Sequence, residues 1–374
     1  MAEEKQRCFA IVAPGLEQLA AGELARLGVA AERQVTGGLS FRATTRQLYT
    51  ANLQLRTVSR VVTRVARFRA TAFWELEKQA GKLAWGDWIG AGRELEFSVS
   101  SHKSKLYHQR GIAERLFEAA AQRVAGVRQA SGESAQLVLA RLEHDEVVIS
   151  LDSSGDLLHQ RGYRLATAKA PLRETLAAAM LLGAGWDGSA PLIDPFCGSG
   201  TILIEAALIA RRIPPGRQRG FAFERWPGFE PAIWNKVKAA AADSMLAAAP
   251  KPILGSDRDA GAIAAAEANA ERATVSADIQ FVCQALSRVE FPAGPGWLIT
   301  NPPYGVRVGE ATRLRDLYAR LGQIASRSPK WSAGLLVSDM RLARHSGLEF
   351  DEIWRSRNGG IPVRFVVAGE GVSG

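Results

Sequence analysis

Two short motifs in the second half of the 374-residue chain carry residue types that could hold a ligand. The first, Asp-Pro-Phe-Cys-Gly-Ser-Gly-Thr at 194–201, stands between a short apolar run and a helical run. Glycine turns in that position let backbone amides and a helix N-terminus approach a ligand closely. A dinucleotide fingerprint would need a third glycine where Leu203 stands, and no Gly-Lys-Ser/Thr follows to hold phosphates. Asp194 would repel phosphates and attract an ammonium or sulfonium group, so the motif favours a cationic ligand over NAD or ATP.

A further candidate ligand-binding residue is Asp257, which follows the apolar run 252–256. A carboxylate at a strand end can accept hydrogen bonds from both hydroxyls of a ribose. The competing interpretation is that Asp257 only helps to cap the helical run 260–272. S-adenosylmethionine is a cationic ligand and carries a ribose. We therefore predict that Asp194, the glycine turn and Asp257 bind this cofactor.

The sharpest chemical signal is the string Asn-Pro-Pro-Tyr-Gly at 301–305, which follows the apolar run 296–300. Two prolines fix the backbone and remove two N–H donors, so carbonyl oxygens there face outward without a competing amide. The Asn301 side-chain oxygen and the Pro302 carbonyl can accept both hydrogens of an exocyclic amine, and Tyr304 can stack on its base. Holding that amine in line with a methyl sulfonium supplies orientation, so no strong general base is needed. A rigid turn is the competing interpretation.

These motifs require a sheet that brings their strand ends to one edge. Strand-like and helix-like runs alternate from about residue 191 to 338, which is typical of a parallel α/β sheet. Asn-Gly-Gly at 358–360 then joins two further strand-like runs as a hairpin. We therefore predict an α/β, Rossmann-like fold with a C-terminal β-hairpin, in which ligands bind at the carboxyl ends of the strands.

The chain up to about residue 153 contains no recognisable catalytic cluster and predicts two small α+β units. Its cations suggest a phosphate-binding surface, although charge alone favours a solvated basic face equally. The candidate RNA-binding residues are Arg60, Arg64, Arg67, Lys103 and Lys105. An insertion at 211–251 mixes arginines with aromatic residues, which suits single-stranded RNA or a packed subdomain.

Composition excludes several protein classes. Apolar residues make up 47% and charged residues 23%, which is ordinary for a globular protein and excludes disordered or fibrous chains. The three cysteines have no metal-ligand spacing, so we expect a reduced compartment, the cytoplasm, and no metal site. No signal peptide or membrane-spanning run is recognised, so no membrane association is expected. A net charge of +9 favours a polyanionic partner.

Taken together, the motifs resemble class I S-adenosylmethionine-dependent methyltransferases that methylate amino groups. The whole chain is similar to bacterial large-subunit (23S) ribosomal RNA guanine-N2 methyltransferases that carry an N-terminal THUMP domain. The matching stretches are Leu-His-Gln-Arg-Gly-Tyr-Arg at 158–164, Ala-Pro-Leu-Arg-Glu-Thr-Leu-Ala-Ala-Ala at 170–179, the loop at 194–201, Gly-Ser-Asp at 255–257 and Thr-Asn-Pro-Pro-Tyr-Gly at 300–305. The resemblance implies a ferredoxin-like region at 1–57, a THUMP RNA-binding domain at 58–153 and a seven-stranded methyltransferase domain at 154–374.

The resemblance also implies individual roles. Asp194, Gly198, Gly200 and Thr201 would hold the methionine part of the cofactor, and Asp257 its ribose. Gln284 would accept a hydrogen bond from the adenine amine through its side-chain oxygen, where related enzymes often place an acid. The target base would be held by Asn301, Pro302 and Tyr304. The segment 167–175 would pass near the methionine carboxylate.

Several functions remain compatible with these residues. The leading prediction is methylation of the N2 amine of a guanosine in large-subunit ribosomal RNA. The same chemistry on transfer RNA is the first alternative, since a THUMP domain serves both substrates. Adenine-N6 methylation is the second, because the clamp fits either amine. A non-catalytic RNA-binding factor is disfavoured, because such a protein has no use for an amine clamp beside a cofactor loop.

Overall fold

The structure is a computed structural model that describes residues 4–130, 135–164, 172–303 and 311–369. The strands of these residues form two sheets, one of eight strands and one of seven. The first half of the chain supplies β1 (Gln6–Val12), α1 (Glu17–Arg26), β2 (Ala31–Val35), β3 (Gly38–Ala43), α2 (Thr45–Gln54), β4 (Val58–Arg69), α3 (Phe73–Ala80), β5 (Glu94–His102), α4 (Gln109–Ala121), β6 (Arg128–Gln129), β7 (Gln136–Glu143) and β8 (Glu146–Asp152). All eight strands belong to one sheet, in the order β2-β3-β1-β4-β8-β7-β5-β6.

Strand β4 joins the two halves of this N-terminal sheet. It pairs antiparallel with β1 on one side and with β8 on the other. Apolar residues of α1, α2, α3 and α4 pack into a single core with alternate residues of the strands. The predicted domain boundary at residue 57 therefore falls inside a continuous sheet, immediately before β4. The pairing of β4 with β1 is a contact between residues distant in the sequence, which the local pattern does not reveal.

The second half of the chain builds the other sheet. Its elements are α5 (Glu174–Gly183), β9 (Leu192–Asp194), α6 (Thr201–Ala210), α7 (Pro231–Asp243), β10 (Ile253–Asp257), α8 (Ala260–Arg272), β11 (Ile279–Cys283), β12 (Gly296–Thr300), α9 (Ala311–Ala325), β13 (Trp331–Val337), α10 (Met340–Arg344), β14 (Asp351–Asn358) and β15 (Ile361–Ala368). The seven strands lie in the order β11-β10-β9-β12-β13-β15-β14. Only the C-terminal hairpin of β14 and β15 introduces antiparallel pairing into this sheet. The predicted α/β fold class is confirmed.

The register of the central strands brings the candidate motifs to one edge. β9 lies between β10 and β12, and Asp194 pairs with Gly255 while Ile193 pairs with Leu298. All three strands are parallel, so their carboxyl ends meet on the same side of the sheet. The loop after β9, the acid at the end of β10 and the motif after β12 are consequently neighbours.

The insertion at 211–251 is packed against the N-terminal sheet. Phe223 is fully buried and stacks on Tyr49 of α2, with ring centroids 4.2 Å apart. The indole N–H of Trp226 donates to the side-chain oxygen of Gln136 on β7 at 2.9 Å. These rings are buried in the core and are not available to stack on bases. Of the two interpretations of the insertion, the packed subdomain is therefore correct.

No helix within the described ranges is both long and apolar enough to span a membrane.

Candidate functional site

The loop 195–200 connects β9 to α6 through backbone conformations that favour glycine. Gly198 has φ of +50° and Gly200 of +82°, both in the left-handed region. A Cβ on Gly200 would lie 3.0 Å from the Cβ of Ala266, so glycine also permits the close approach of α8. A Cβ on Gly198 would meet no described atom within 4 Å. The loop therefore presents bare backbone to open space at this point, as a surface on which a ligand can lie.

Asp194 lies at the end of β9, but its side chain is buried and does not face open space. Its carboxylate is 1% exposed and lies beneath the loop, where it accepts hydrogen bonds from the Thr300 hydroxyl and from the Phe196 N–H at 3.0 Å. Burial raises its pKa to about 7, although these two hydrogen bonds oppose the shift and the charge of Asp257 adds to it. The folded protein thus holds this proton more tightly than the unfolded chain, and Asp194 costs stability as the pH rises toward 7. Asp194 joins the loop to the end of β12.

Asp257 faces the glycine loop from the end of β10. Its Oδ2 accepts the Gly198 N–H at 3.1 Å, and its Oδ1 accepts the Asp259 N–H at 3.0 Å. The N-cap of α8 is Asp259, whose Oδ1 accepts the Gly261 N–H at 2.8 Å. Because Asp259 performs the capping, the lone pairs that Asp257 has left remain available to ribose hydroxyls. Gln284 lies beside it, with its backbone N–H donating to the Asp257 carbonyl at 2.9 Å.

Asn301 follows β12 directly and is half-buried. Its Oδ1 is buried and accepts no hydrogen bond from any residue that the structure describes. Thr300, which bonds to Asp194, fixes the strand end that carries it. Pro302 is buried and Pro303 is exposed. Tyr304 lies outside the described residues, so its predicted stacking role stays a prediction.

Two supporting residues were missed by the sequence interpretation. Asn269 of α8 donates from its side chain to the Ser199 carbonyl at 3.0 Å and so holds the glycine loop. A buried asparagine within the alanine-rich run 260–272 was the signal that could have revealed it. Arg164 donates to the Thr201 hydroxyl at the start of α6. Thr201 is itself buried, so its hydroxyl is engaged within the protein.

The five candidate RNA-binding cations occupy different environments. Arg60 is a correction: its side chain is 13% exposed and paired with the buried Asp152, so its guanidinium is engaged within the protein and is not a free surface cation. Arg64 lies 4.5 Å from the centroid of the Phe9 ring and donates to the Ser40 hydroxyl at 3.2 Å. Arg67 is exposed and forms two 2.7 Å hydrogen bonds with Glu146. Lys103 and Lys105 are exposed in the loop between β5 and α4.

The geometry at this edge of the sheet fits the predicted cofactor. Bare loop backbone, an acid and an unsatisfied amide oxygen lie at the carboxyl ends of three adjacent parallel strands. S-adenosylmethionine supplies an electrophilic methyl group on a sulfonium. The residues of this chain would hold the cofactor along the loop and Asp257 and orient a nucleophilic amine at Asn301 and Pro302. Among the described residues, no three His, Cys, Asp or Glu side chains cluster as metal ligands do.

Comparison with known proteins places this site in a family. Residues 161–363 match the family model described as the RMKL-like methyltransferase domain, and residues 7–62 match the RlmL ferredoxin-like domain. A "Putative RNA methyltransferase" of Synechocystis sp. is 35% identical and aligns over 95% of this chain and 94% of its own length. The ribosomal RNA large subunit methyltransferase K/L of Syntrophotalea carbinolica is 34% identical over 96% of this chain. The chain spans about half of that relative, 53% of its length.

A solved structure points to the same cofactor. SMU.472, solved in complex with SAH, superposes with a TM-score of 0.88 at 27% identity and covers 98% of both chains. SAH is S-adenosylhomocysteine, the product that remains after S-adenosylmethionine has lost its methyl group. This chain therefore belongs to the RMKL-like methyltransferase family, with a class I methyltransferase fold behind an RlmL ferredoxin-like domain and S-adenosylmethionine as its methyl donor.

Proposed function

We propose that this enzyme transfers a methyl group to the exocyclic N2 amine of a guanosine in large-subunit (23S) ribosomal RNA, in the cytoplasm. The observation that carries the proposal is the buried Asn301 Oδ1, which lacks a hydrogen-bond donor among the described residues, beside the loop that fits the cofactor. An unsatisfied buried acceptor costs about 1–3 kcal/mol, and an amine donor would relieve that cost. The choice of guanosine and of ribosomal RNA rests on the similarity to the K/L relatives.

We further propose that residues 1–57, 58–153 and 154–374 act as ferredoxin-like, THUMP RNA-binding and methyltransferase domains. The uncovered face of the N-terminal sheet supports RNA binding. It forms a groove of about 610 Å³ in which Arg33, Arg64, Arg67 and Arg141 converge. Burial lowers the pKa of Arg64 most, and the charges of the other three arginines lower it further. Glu146 and Glu143 of the same groove pair with Arg67 and Arg141, so Arg64 is the arginine whose repulsion a phosphate would relieve.

A second supporting surface is the loop between β5 and α4. Lys103 and Lys105 are exposed there, and Tyr107 is 67% exposed beside His108. Cations interleaved with an accessible ring suit the phosphates and bases of an unpaired RNA segment. We propose that this loop contacts RNA together with the groove.

Replacing Arg64 and Arg67 together with glutamine should weaken RNA binding roughly tenfold at low salt. Two lost phosphate contacts release fewer counterions, so the slope of log K against log salt should fall by roughly one to two. Fluorescence anisotropy with a labelled ribosomal RNA fragment across a salt series measures both quantities. Arg123 and Arg128, which lie outside the groove, provide a matched double replacement that should change neither. Unchanged binding in the Arg64 and Arg67 variant would show that these arginines are only solvated charges.

Nucleoside mass spectrometry of RNA from cells with and without the gene tests the function. We expect N2-methylguanosine to disappear from large-subunit ribosomal RNA and to return with the wild-type gene but not with Asn301→Ala. Loss of N2-methylguanosine from transfer RNA alone would show that the substrate is transfer RNA and not ribosomal RNA. Loss of N6-methyladenosine instead would show that the clamp holds adenine. No change in any methylated nucleoside would contradict the proposal as a whole.

A further inference from the structure

Glu174, at the start of α5, has no role in the site described so far and forms a buried acid–base pair with Arg164. Arg164 and Glu174 are 3.5 Å apart, between Nη1 and Oε1, with side chains 11% and 5% exposed. Arg164 also donates through Nη2 to the Leu172 carbonyl at 3.1 Å and to the Thr201 hydroxyl. The pair is therefore fixed to the first turn of α6, immediately after the glycine loop.

Glu174 retains an unused acceptor. Its Oε2 is buried and has no hydrogen-bond donor among the described parts of the chain. Burial is the largest influence on the pKa of Glu174 and raises it, while the charge of Arg164 opposes this shift. Buried carboxylate oxygens in folded proteins nearly always have a donor, so one without a donor among the described residues is a candidate acceptor for a group supplied from outside.

The position of Glu174 indicates which group this is. Asp257 meets the glycine loop at Gly198, and the predicted ribose site lies at that end. Arg164 meets the same structure at Thr201, on the other side of Gly200. A cofactor whose ribose lies at Asp257 and whose chain follows the loop would bring its amino-acid end toward Thr201 and Glu174. That end of S-adenosylmethionine carries an α-ammonium group, which is a cationic donor.

We propose that Glu174 binds the α-ammonium group of the cofactor through Oε2, and that Arg164 is a positioning residue that holds Glu174 and Thr201 in place. A charge-assisted hydrogen bond of this kind is stronger than one between neutral groups. The proposal rests on the cofactor and not on the identity of the methylated base.

Calorimetric binding of two ligands to wild-type protein and to Glu174→Gln tests the proposal. The ligands are S-adenosylhomocysteine and the analogue that lacks only its α-amino group. The substitution should weaken S-adenosylhomocysteine binding by about tenfold to a hundredfold. The analogue should bind wild-type protein more weakly by a similar factor, and Glu174→Gln should weaken it no further, which is the coupling expected of two groups in contact.

Two controls keep the result interpretable. Asp257→Asn should weaken both ligands equally because both contain the ribose, and Glu267→Gln, at an exposed position of α8, should weaken neither. The wild-type arm needs no substitution, so a folding defect in Glu174→Gln cannot obscure it. Equal affinity of wild-type protein for the two ligands would overturn the proposal, and so would equal weakening of both by a folded Glu174→Gln. Either result leaves the methylated nucleoside, which is measured separately, unaffected.

Discussion

Replacing Asn301 with alanine should reduce kcat by about a hundredfold to a thousandfold and leave the affinity for S-adenosylhomocysteine unchanged. The Asn301 Oδ1 is held at the end of β12 by the bond between Thr300 and Asp194. It is the acceptor that would fix one hydrogen of the target amine while the Pro302 carbonyl fixes the other. Without it, the amine lone pair is no longer aligned with the methyl group, and orientation is the main contribution that the site offers.

Single-turnover methylation of a ribosomal RNA fragment measures the loss, and calorimetry with S-adenosylhomocysteine measures the cofactor affinity. Asn235→Ala, at an exposed position of α7, controls for handling and should retain full activity. If Asn301→Ala still turns over within threefold of wild type, the oxygen does not hold the reacting amine. If cofactor affinity falls as steeply as turnover, Asn301 contacts the donor and not the acceptor.

The catalytic half could be predicted from the sequence because its information is local. A strand, a glycine turn and a helix follow one another within about twenty residues at 191–210, and a strand, a turn with two aspartates and a helix follow one another at 252–272. Parallel strands bring such turns to one edge whatever the loops between them do. The neighbourhood of Asp194, Asp257 and Asn301 therefore followed from the order of the motifs, and the structure places them there.

Side-chain environments could not be predicted in the same way, because each depends on a partner far along the chain. Arg60 was an exposed cation in the sequence pattern, yet it pairs with Asp152, 92 residues away. Asp194 was predicted to face the cofactor, but Thr300, 106 residues away, holds it beneath the loop. The aromatic residues of the insertion suited RNA by composition and instead fill a core with Tyr49. Composition shows which side chains could bind a ligand or RNA, and tertiary contacts determine which of them are exposed and unpaired.

The largest effect on stability is expected at Glu205, a fully buried acid of α6 within an otherwise apolar helix. Its carboxylate accepts from Arg161 Nε at 3.3 Å and from the Tyr163 hydroxyl at 3.4 Å, and it lies 4.0 Å from Arg56 Nη1. Arg161 and Arg56 are themselves largely buried, with side chains 2% and 12% exposed. Burial lowers the pKa of Arg56, and the charge of Glu205 opposes that shift.

Glu205→Gln should therefore reduce the free energy of unfolding by about 3–5 kcal/mol, because it removes the carboxylate paired with two buried guanidinium groups. Urea denaturation followed by circular dichroism measures this difference. The glutamine keeps the volume of the side chain, so the loss reports charge and not a cavity. Glu146→Gln is the matched control: its pair with Arg67 is exposed, and exposed pairs contribute about 0–1 kcal/mol.

The same substitution should also change how the two sheets unfold together. Arg56 follows α2 of the N-terminal half, and its guanidinium donates to the carbonyls of Leu208 and Ile213 at 3.2 and 2.7 Å in the catalytic half. Glu205 supplies negative charge at this contact between the halves, 4.0 Å from the Arg56 guanidinium. We expect one cooperative transition in wild-type protein and two separate transitions in Glu205→Gln, visible by calorimetry. A single transition at an unchanged midpoint would mean that backbone carbonyls alone compensate both arginines and that the carboxylate contributes little.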